Sequence, residues 1–271
     1  MAISISTLGK QATVTRESPT CMSQDYIGTE LGLFARATNW KAYVAGMLRS
    51  RILGDVLDVG AGIGSNIPVM MDDQVLSWTA LEPDPALAQV ITARSRVHVV
   101  CGTINDLPRD RLFDTILYMD VLEHIAYDRN EASDAARLLA PGGNLIVLVP
   151  AHQFLFSAFD AAIGHHRRYN LRQLRALTPT GCRIEMCRLL DSVGFFASLA
   201  NRILLRQADP SERQIAVWDR VMVPVSRVLD PITGYNFGKS ALIVWHKPSG
   251  QAAPSDFIMK SDESVNGTMG R

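Results

Sequence analysis

The stretch Val56-Leu57-Asp58-Val59-Gly60-Ala61-Gly62-Ile63-Gly64-Ser65-Asn66 constrains this chain more than any other. It opens as a short apolar run, which reads as a buried strand. Glycine then falls at every second position, and Asn66-Ile67-Pro68-Val69-Met70 reads as the start of a helix. A strand that turns into a helix through glycines belongs to a sheet layered with helices. Without Cβ atoms, such a turn lets a ligand approach the backbone, and a helix start aims free N–H groups at it.

The spacing narrows the ligand. The dinucleotide fingerprint is G-x-G-x-x-G. Here Gly64 comes one residue early, and Ser65 stands where that fingerprint has glycine. Asp58, two residues before Gly60, would repel a pyrophosphate. It suits the ammonium of the methionine moiety of S-adenosylmethionine (SAM), directly or through water. This D-x-G-x-G-x-G turn resembles motif I of the class I SAM-dependent methyltransferases. A dinucleotide turn, and a glycine turn with no ligand, stay open at this point.

Composition excludes other classes. The 271 residues are 47% hydrophobic, enough for one sizeable core with an elaboration. The 27 basic residues balance 27 acidic ones, so no basic excess recommends nucleic acid as a partner. The four cysteines (Cys21, Cys101, Cys182, Cys187) show no C-x-x-C spacing, which suggests neither a zinc site nor a disulfide framework. His165-His166 is a poor metal pair because adjacent residues rarely converge on one ion, so no metal is expected. No signal-peptide layout opens the chain. No run of 18 apolar residues occurs; Val193 to Leu205 is interrupted by Ser198, Asn201 and Arg202. These features predict a soluble, cytoplasmic protein whose oligomeric state is open, a homodimer included.

In chain order, residues 1–22 are patternless and read as disordered. From Gln24 to Leu53 the pattern is helical, with Leu31, Phe34, Ala35, Thr38, Ala42, Ala45 and Leu48 on one face. Its aromatics, Tyr26, Phe34, Trp40 and Tyr43, mark either a sheet cover or a lid over a cleft. Strands are expected at 55–59, 77–81, 97–101, 113–119, 144–149, 183–190 and 240–247. Helices are expected between them, at 66–71, 85–93 and 130–139. Glu82 ends the second strand, about 20 residues after the glycines, where a carboxylate can accept both ribose hydroxyls. Asp84 reads as a helix cap. Ala140-Pro141-Gly142-Gly143 is a turn. Two amphipathic helices, 193–206 and 211–229, fill the segment before the last strand. Residues 248–271 read as a disordered tail.

The glycine turn, Glu82, the segment Asp120–Ile125 and the Pro-Gly-Gly turn occur in the order and at the intervals of the class I methyltransferases. The resemblance implies a Rossmann-like α/β fold: a seven-stranded sheet, mostly parallel with an antiparallel last strand, under a helical cap. It places the domain at 23–247, with a helical insertion at 191–238. It implies SAM held by Asp58, Gly60, Ala61, Gly62 and Gly64 around the amino-acid moiety, and by Glu82 and Pro83 at the ribose. Thr103 and Ile104 would meet adenine, and Asp120 and Val121 would lie beneath the sulfonium. Thr103 departs from the acidic residue often found there. Gly164–Tyr169, with Val149–His152, resembles a subgroup of bacterial small-molecule methyltransferases.

The implied reaction is methyl transfer to a small-molecule acceptor, a natural product or a sugar- or lipid-linked intermediate. An acceptor hydroxyl or carbon acid needs a base near neutrality, which points to histidine. His165 is the first candidate for that base or for orienting the acceptor, and His124 the second; either could instead be structural. Tyr26, Trp40, His152, His166, Arg167, Arg168 and Tyr169 are candidates for the acceptor pocket. The two arginines could fork onto an anionic group, pair with Asp160 or lie in solvent. A non-catalytic SAM-binding module and an NAD-type oxidoreductase are the alternatives.

Overall fold

Strand β1 (Gly54–Val59) lies inside the sheet, with its apolar residues buried on both faces. The computed structural model describes residue 32, residues 34–202 and residues 211–250. The other strands are β2 (Val75–Glu82), β3 (Val97–Cys101), β4 (Phe113–Met119), β5 (Leu139–Pro150), β6 (Arg183–Leu190) and β7 (Ser240–His246). The helices are α1 (Thr38–Leu48), α2 (Ile67–Met70), α3 (Pro85–Val90), α4 (Asp128–Arg137), α5 (Ala158–Ala162), α6 (Leu171–Ala176), α7 (Ser192–Ala200), α8 (Glu212–Val217) and α9 (Val223–Ile232), the last two joined by a π turn at Trp218–Met222.

The strand order is β3-β2-β1-β4-β5-β7-β6. β1 through β5 pair in parallel, and β7 runs antiparallel between β5 and β6. The last strand is therefore interior. Alternate side chains build two cores. Val56, Trp78, Leu117 and Ile146 face α1, while Leu57, Ile116, Leu145 and Val147 share a cluster with Ala132 and Ala135 of α4. Successive residues of a strand point to opposite faces, so near-continuous apolar strands fit a sheet covered on both sides. The strand order reverses between β1 and β4, and open α/β sheets bind ligands at the carboxyl ends of such strands.

Some elements depart from the sequence reading. The helix expected through Met71 is a single turn, Ile67–Met70. The buried face of α1 is Trp40, Tyr43, Val44 and Leu48, whereas Thr38 and Ala42 are exposed. The large aromatics take the interior because they remove the most apolar surface from water. β5 begins at Leu139, so the Pro-Gly-Gly turn is a bulge within a strand, its register shifting between Phe113 and Thr115 of β4. Tyr26, segment 1–22, residues 251–271 of the tail and the end of the helix expected to Arg206 lie outside the described residues.

The insertion after β6 is tied down by buried carboxylates. Tyr43 donates its hydroxyl hydrogen bond to Asp230 at 2.9 Å, and the backbone N–H groups of Asp191 and Ser192 donate to the same carboxylate. Asp191 accepts from the Trp218 indole, the Ser226 hydroxyl and the Gly194 N–H. Asp219 accepts from the Trp40 N–H at 2.9 Å. Bonds to a charged acceptor contribute roughly 1.5–3 kcal/mol each when buried. They fix the insertion against α1 and the ends of β6 and β7.

Candidate active site

The turn after β1 is built as a cradle. Gly60, Gly62 and Gly64 all have positive φ, of 65°, 57° and 73°. Gly60 and Ala61 donate their N–H groups to the Leu81 carbonyl, which binds the turn to the end of β2. A Cβ on Gly60 would lie 2.7 Å from Val121 Cγ2, so the turn and the end of β4 approach as closely as glycine permits. Lys41 of α1 donates to the Ser65 carbonyl and covers the turn from above.

Glu82 is buried, and its two oxygens accept from the Gly62 N–H at 2.7 Å and the Asp84 N–H at 3.0 Å. Burial pushes its carboxyl up, against the two backbone N–H groups that hold it down. A carboxylate has about four acceptor positions, so both oxygens retain a lone pair for further donors. Asp84 caps α3 by accepting from the Ala86 N–H, as its sequence context suggests.

Asp58 lies beneath the turn, 1% exposed, and neither oxygen meets a hydrogen-bond donor at normal distance. Burial raises its carboxyl to about 7, with the Trp78 indole as the nearest opposing group. A buried carboxylate in this state fits a cation placed above it. Because the raised group holds its proton longer in the folded chain, the stability it contributes is full below pH ~4 and is lost as pH rises towards 7. Asp58→Asn should therefore flatten the decline of the melting temperature between pH ~4 and 7, read by calorimetry, and weaken SAM binding in the same preparation. An unchanged pH profile would show that Asp58 is not the titrating group.

From this turn a cavity of about 1800 Å³ extends under the insertion. Ligand cavities commonly hold ~300–1000 Å³, so this one has room for a nucleoside and a second molecule. Gly60, Glu82, Pro83, Asp120, Val121, His124, His165, His166, Arg168 and Lys239 line it, and Trp40 and Trp218 add apolar surface. Asp120, at φ 56°, is open to cavity solvent and ringed by protein. Burial raises its carboxyl, opposed by His165, Lys239 and Arg168; contact with cavity water offsets part of the rise.

His165 is held between two carboxyl groups in the wall. Its Nδ1 lies 2.9 Å from Asp160 Oδ1, and its Nε2 lies 3.7 Å from Glu123 Oε1. Asp160 also accepts a two-pronged pair of bonds from Arg168, at 2.8 and 2.9 Å, and bonds from the N–H and hydroxyl of Ser157. Burial alone would raise Asp160, but the bonds from His165, Arg168 and Ser157 hold it well below the usual carboxylate range. An ionised Asp160 only accepts, so Nδ1 of His165 is the donor of this bond. The His124 ring meets His165 edge-to-face at 4.5 Å, and burial lowers His124 to about 4. Glu123 is fully buried, and burial raises its carboxyl well above the usual range.

Several candidates stand outside the cavity wall. Thr103 is tied back to Asp106 through its N–H and hydroxyl, and Ile104 is buried in the core. Arg167 pairs with Asp128, and Tyr169 is a core residue bonded to the same Asp128. His152 contacts the Gly238 carbonyl. Arg168 is the arginine that pairs with Asp160. Glu123, His124 and His165 bring one ligand atom each within 4.8 Å of one another, a convergence adjacent-residue logic missed. Lys239, over the Trp218 ring at 4.4 Å, also went unforeseen, since only β7 folding beside β5 carries it into the cavity.

Residues 34–194, more than half of the chain, match a family model described as a methyltransferase domain. The chain belongs to the class I methyltransferase family. Its cofactor is S-adenosylmethionine. Over 155 residues it is 30% identical to a demethylmenaquinone methyltransferase of Tropheryma whipplei (strain Twist), covering 55% of this chain and 64% of that protein. The chain thus spans less than two thirds of the curated relatives it matches. The solved [4+2]-cyclase SpnF shares the fold at TM-score 0.56 and 16% identity, over 83% of this chain and 96% of that one. A SAM-dependent methyltransferase from Thermotoga maritima shares it at 0.53 and 19%, over 82% and 96%. Among the described residues no helix is long and apolar enough to cross a membrane.

The family's cofactor fits the residues present. Gly60 presents bare backbone where Val121 leaves no room for a side chain, the buried Asp58 carboxylate has the Trp78 indole as its one opposing group, and Glu82 keeps acceptor capacity at the cavity edge.

Proposed function

We propose that this methyltransferase-family chain moves the SAM methyl group to an acceptor hydroxyl or carbon acid held in the cavity, with His165 as the base. The observation that carries the reading is the Asp160–His165 pair on the wall of the same cavity that begins at the glycine turn. Bound SAM supplies a methyl group already activated on sulfonium, so no metal is needed for that step. With SAM bound, Glu82 would hold the ribose hydroxyls, Asp58 would offer negative charge to the ammonium, and Asp120 and Val121 would lie on the sulfonium side. The wall residues place the acceptor atom in line with the methyl at ~3 Å, a proximity effect. The acceptor proton passes to Nε2 of His165 as its oxygen or carbon bonds to the methyl, and the sulfur keeps the electron pair of the broken bond. Asp160 stabilises the imidazolium, and Arg168 holds Asp160 in place.

The apolar wall of Trp40, Trp218 and Met222 supports an acceptor with an apolar body. The relative from Tropheryma whipplei carries demethylmenaquinone in its name, which agrees with an apolar acceptor here. The test is incubation of the protein with cell extract and methyl-labelled SAM, followed by mass spectrometry of small molecules. Label in an extractable product of apolar character is expected. SAM binding without labelled product from any pool would replace catalysis with a binding role.

A further inference from the structure

Among the described residues, the outer side of the helical insertion has no partner. Residues 212–232 form one helical run through α8, the π turn and α9. Its inner side is spent on Ile215, Trp218, Val223, Ser226 and Asp230, all buried. Its outer side carries Val217, Val221, Val225, Val228 and Ile232, spaced by four, four, three and four residues and 44% to 74% exposed. That spacing lines them up as one stripe, opposite the buried face. Arg213, Arg220 and Arg227 recur every seven residues along one flank of the stripe and are exposed. Both acids between Arg213 and Ile232, Asp219 and Asp230, are buried. None of the three arginines has an acidic partner among the described residues.

We infer that this face docks the protein on an anionic lipid bilayer, lying in the plane of the interface. An apolar stripe with a row of guanidinium groups beside it is the design of an interfacial helix: the valines enter the headgroup boundary and the arginines meet lipid phosphates. Charge selects the occupant. A second copy packed on this face would bring an acid-free, arginine-bearing surface against its like, whereas an anionic bilayer complements it. The cavity supplies an independent reason, because Arg213 and Val217 belong both to this face and to the cavity lining. The cavity therefore reaches the edge of the stripe, where an apolar acceptor would pass between lipid and site. That last clause rests on the proposed reaction; the docking itself does not.

The test is co-sedimentation of the full chain with vesicles of phosphatidylcholine alone or mixed with phosphatidylglycerol, at low and high salt, with light scattering on the free protein. Binding to the mixed vesicles is expected, weakened by salt. It should fall at least about tenfold in the Val221→Asp/Val225→Asp variant, and also when Arg220 and Arg227 become glutamine. All four side chains are exposed, so a melting curve close to wild type is expected. The arginine variant carries the test if the aspartates disturb folding. No sedimentation with mixed vesicles, sedimentation of both variants at the wild-type level, or a dimer that Val221→Asp/Val225→Asp dissociates would overturn the inference. Loss of vesicle binding with SAM titration intact would leave the catalytic reading standing.

Discussion

Gly60→Val is expected to reduce SAM affinity by about 100-fold or more in isothermal titration, equivalent to ~3 kcal/mol. Two costs act at one position. The backbone sits at φ 65°, which costs a residue with a Cβ ~1–2 kcal/mol. The new Cβ would also fall 2.7 Å from Val121, which has to move away from the floor of the site. The strands on either side are held by their ladders, so the chain should still fold, with a melting temperature several degrees lower. Affinity within twofold of wild type would mean that the turn does not carry the nucleoside.

His165→Ala should lower turnover by roughly 10²–10⁴, the usual range for a positioned acid or base, while SAM affinity stays nearly constant. The pair acts as a unit, so Asp160→Asn should lose a comparable amount, and the double variant should be little worse than either. Asp160→Asn carries a second signature. It leaves Arg168 buried without its counter-charge, a loss of ~3–5 kcal/mol in pairs of this kind. The His165 variant keeps the Arg168 pair and should remain closer to wild-type stability. The carboxyl of Asp160 is held low, so its stabilisation is present above the ordinary carboxylate range and is lost as the solution is acidified through and below it. The stability gap between wild type and Asp160→Asn should accordingly close in acid. Undiminished turnover in His165→Ala would make that histidine a structural link between Asp160 and Glu123.

What the sequence revealed was local. The glycine turn, the Asp84 cap and strands β3, β4 and β6 follow from glycine conformation, capping chemistry and apolar runs that need no distant partner. The base site was half legible: His165 stood out, but Glu123 lies 42 positions earlier and only the β4 and β5 ends bring it alongside. Asp191, Asp219 and Asp230 carry no distinguishing signal in the sequence, yet all three are buried and bonded. A carboxylate looks the same in sequence whether it faces water or an indole N–H. Thr103 shows a related effect: three residues on, Asp106 completes a capping box with it, and the hydroxyl donates to that neighbour. The α1 periodicity was misjudged because alanine and threonine were weighed alongside tryptophan and tyrosine, which bury far more surface.

The central claim is that the bend after β1 and the acid ending β2 grasp one nucleoside beside the His165 wall. A crystal structure with S-adenosylhomocysteine, the demethylated product, tests it most directly. The account predicts ribose hydroxyls on Glu82, the ammonium above Asp58, and the sulfur over Asp120 and Val121 facing the cavity. A product molecule bound away from residues 60–64, or one that leaves Glu82 bonded only to Gly62 and Asp84, would contradict it.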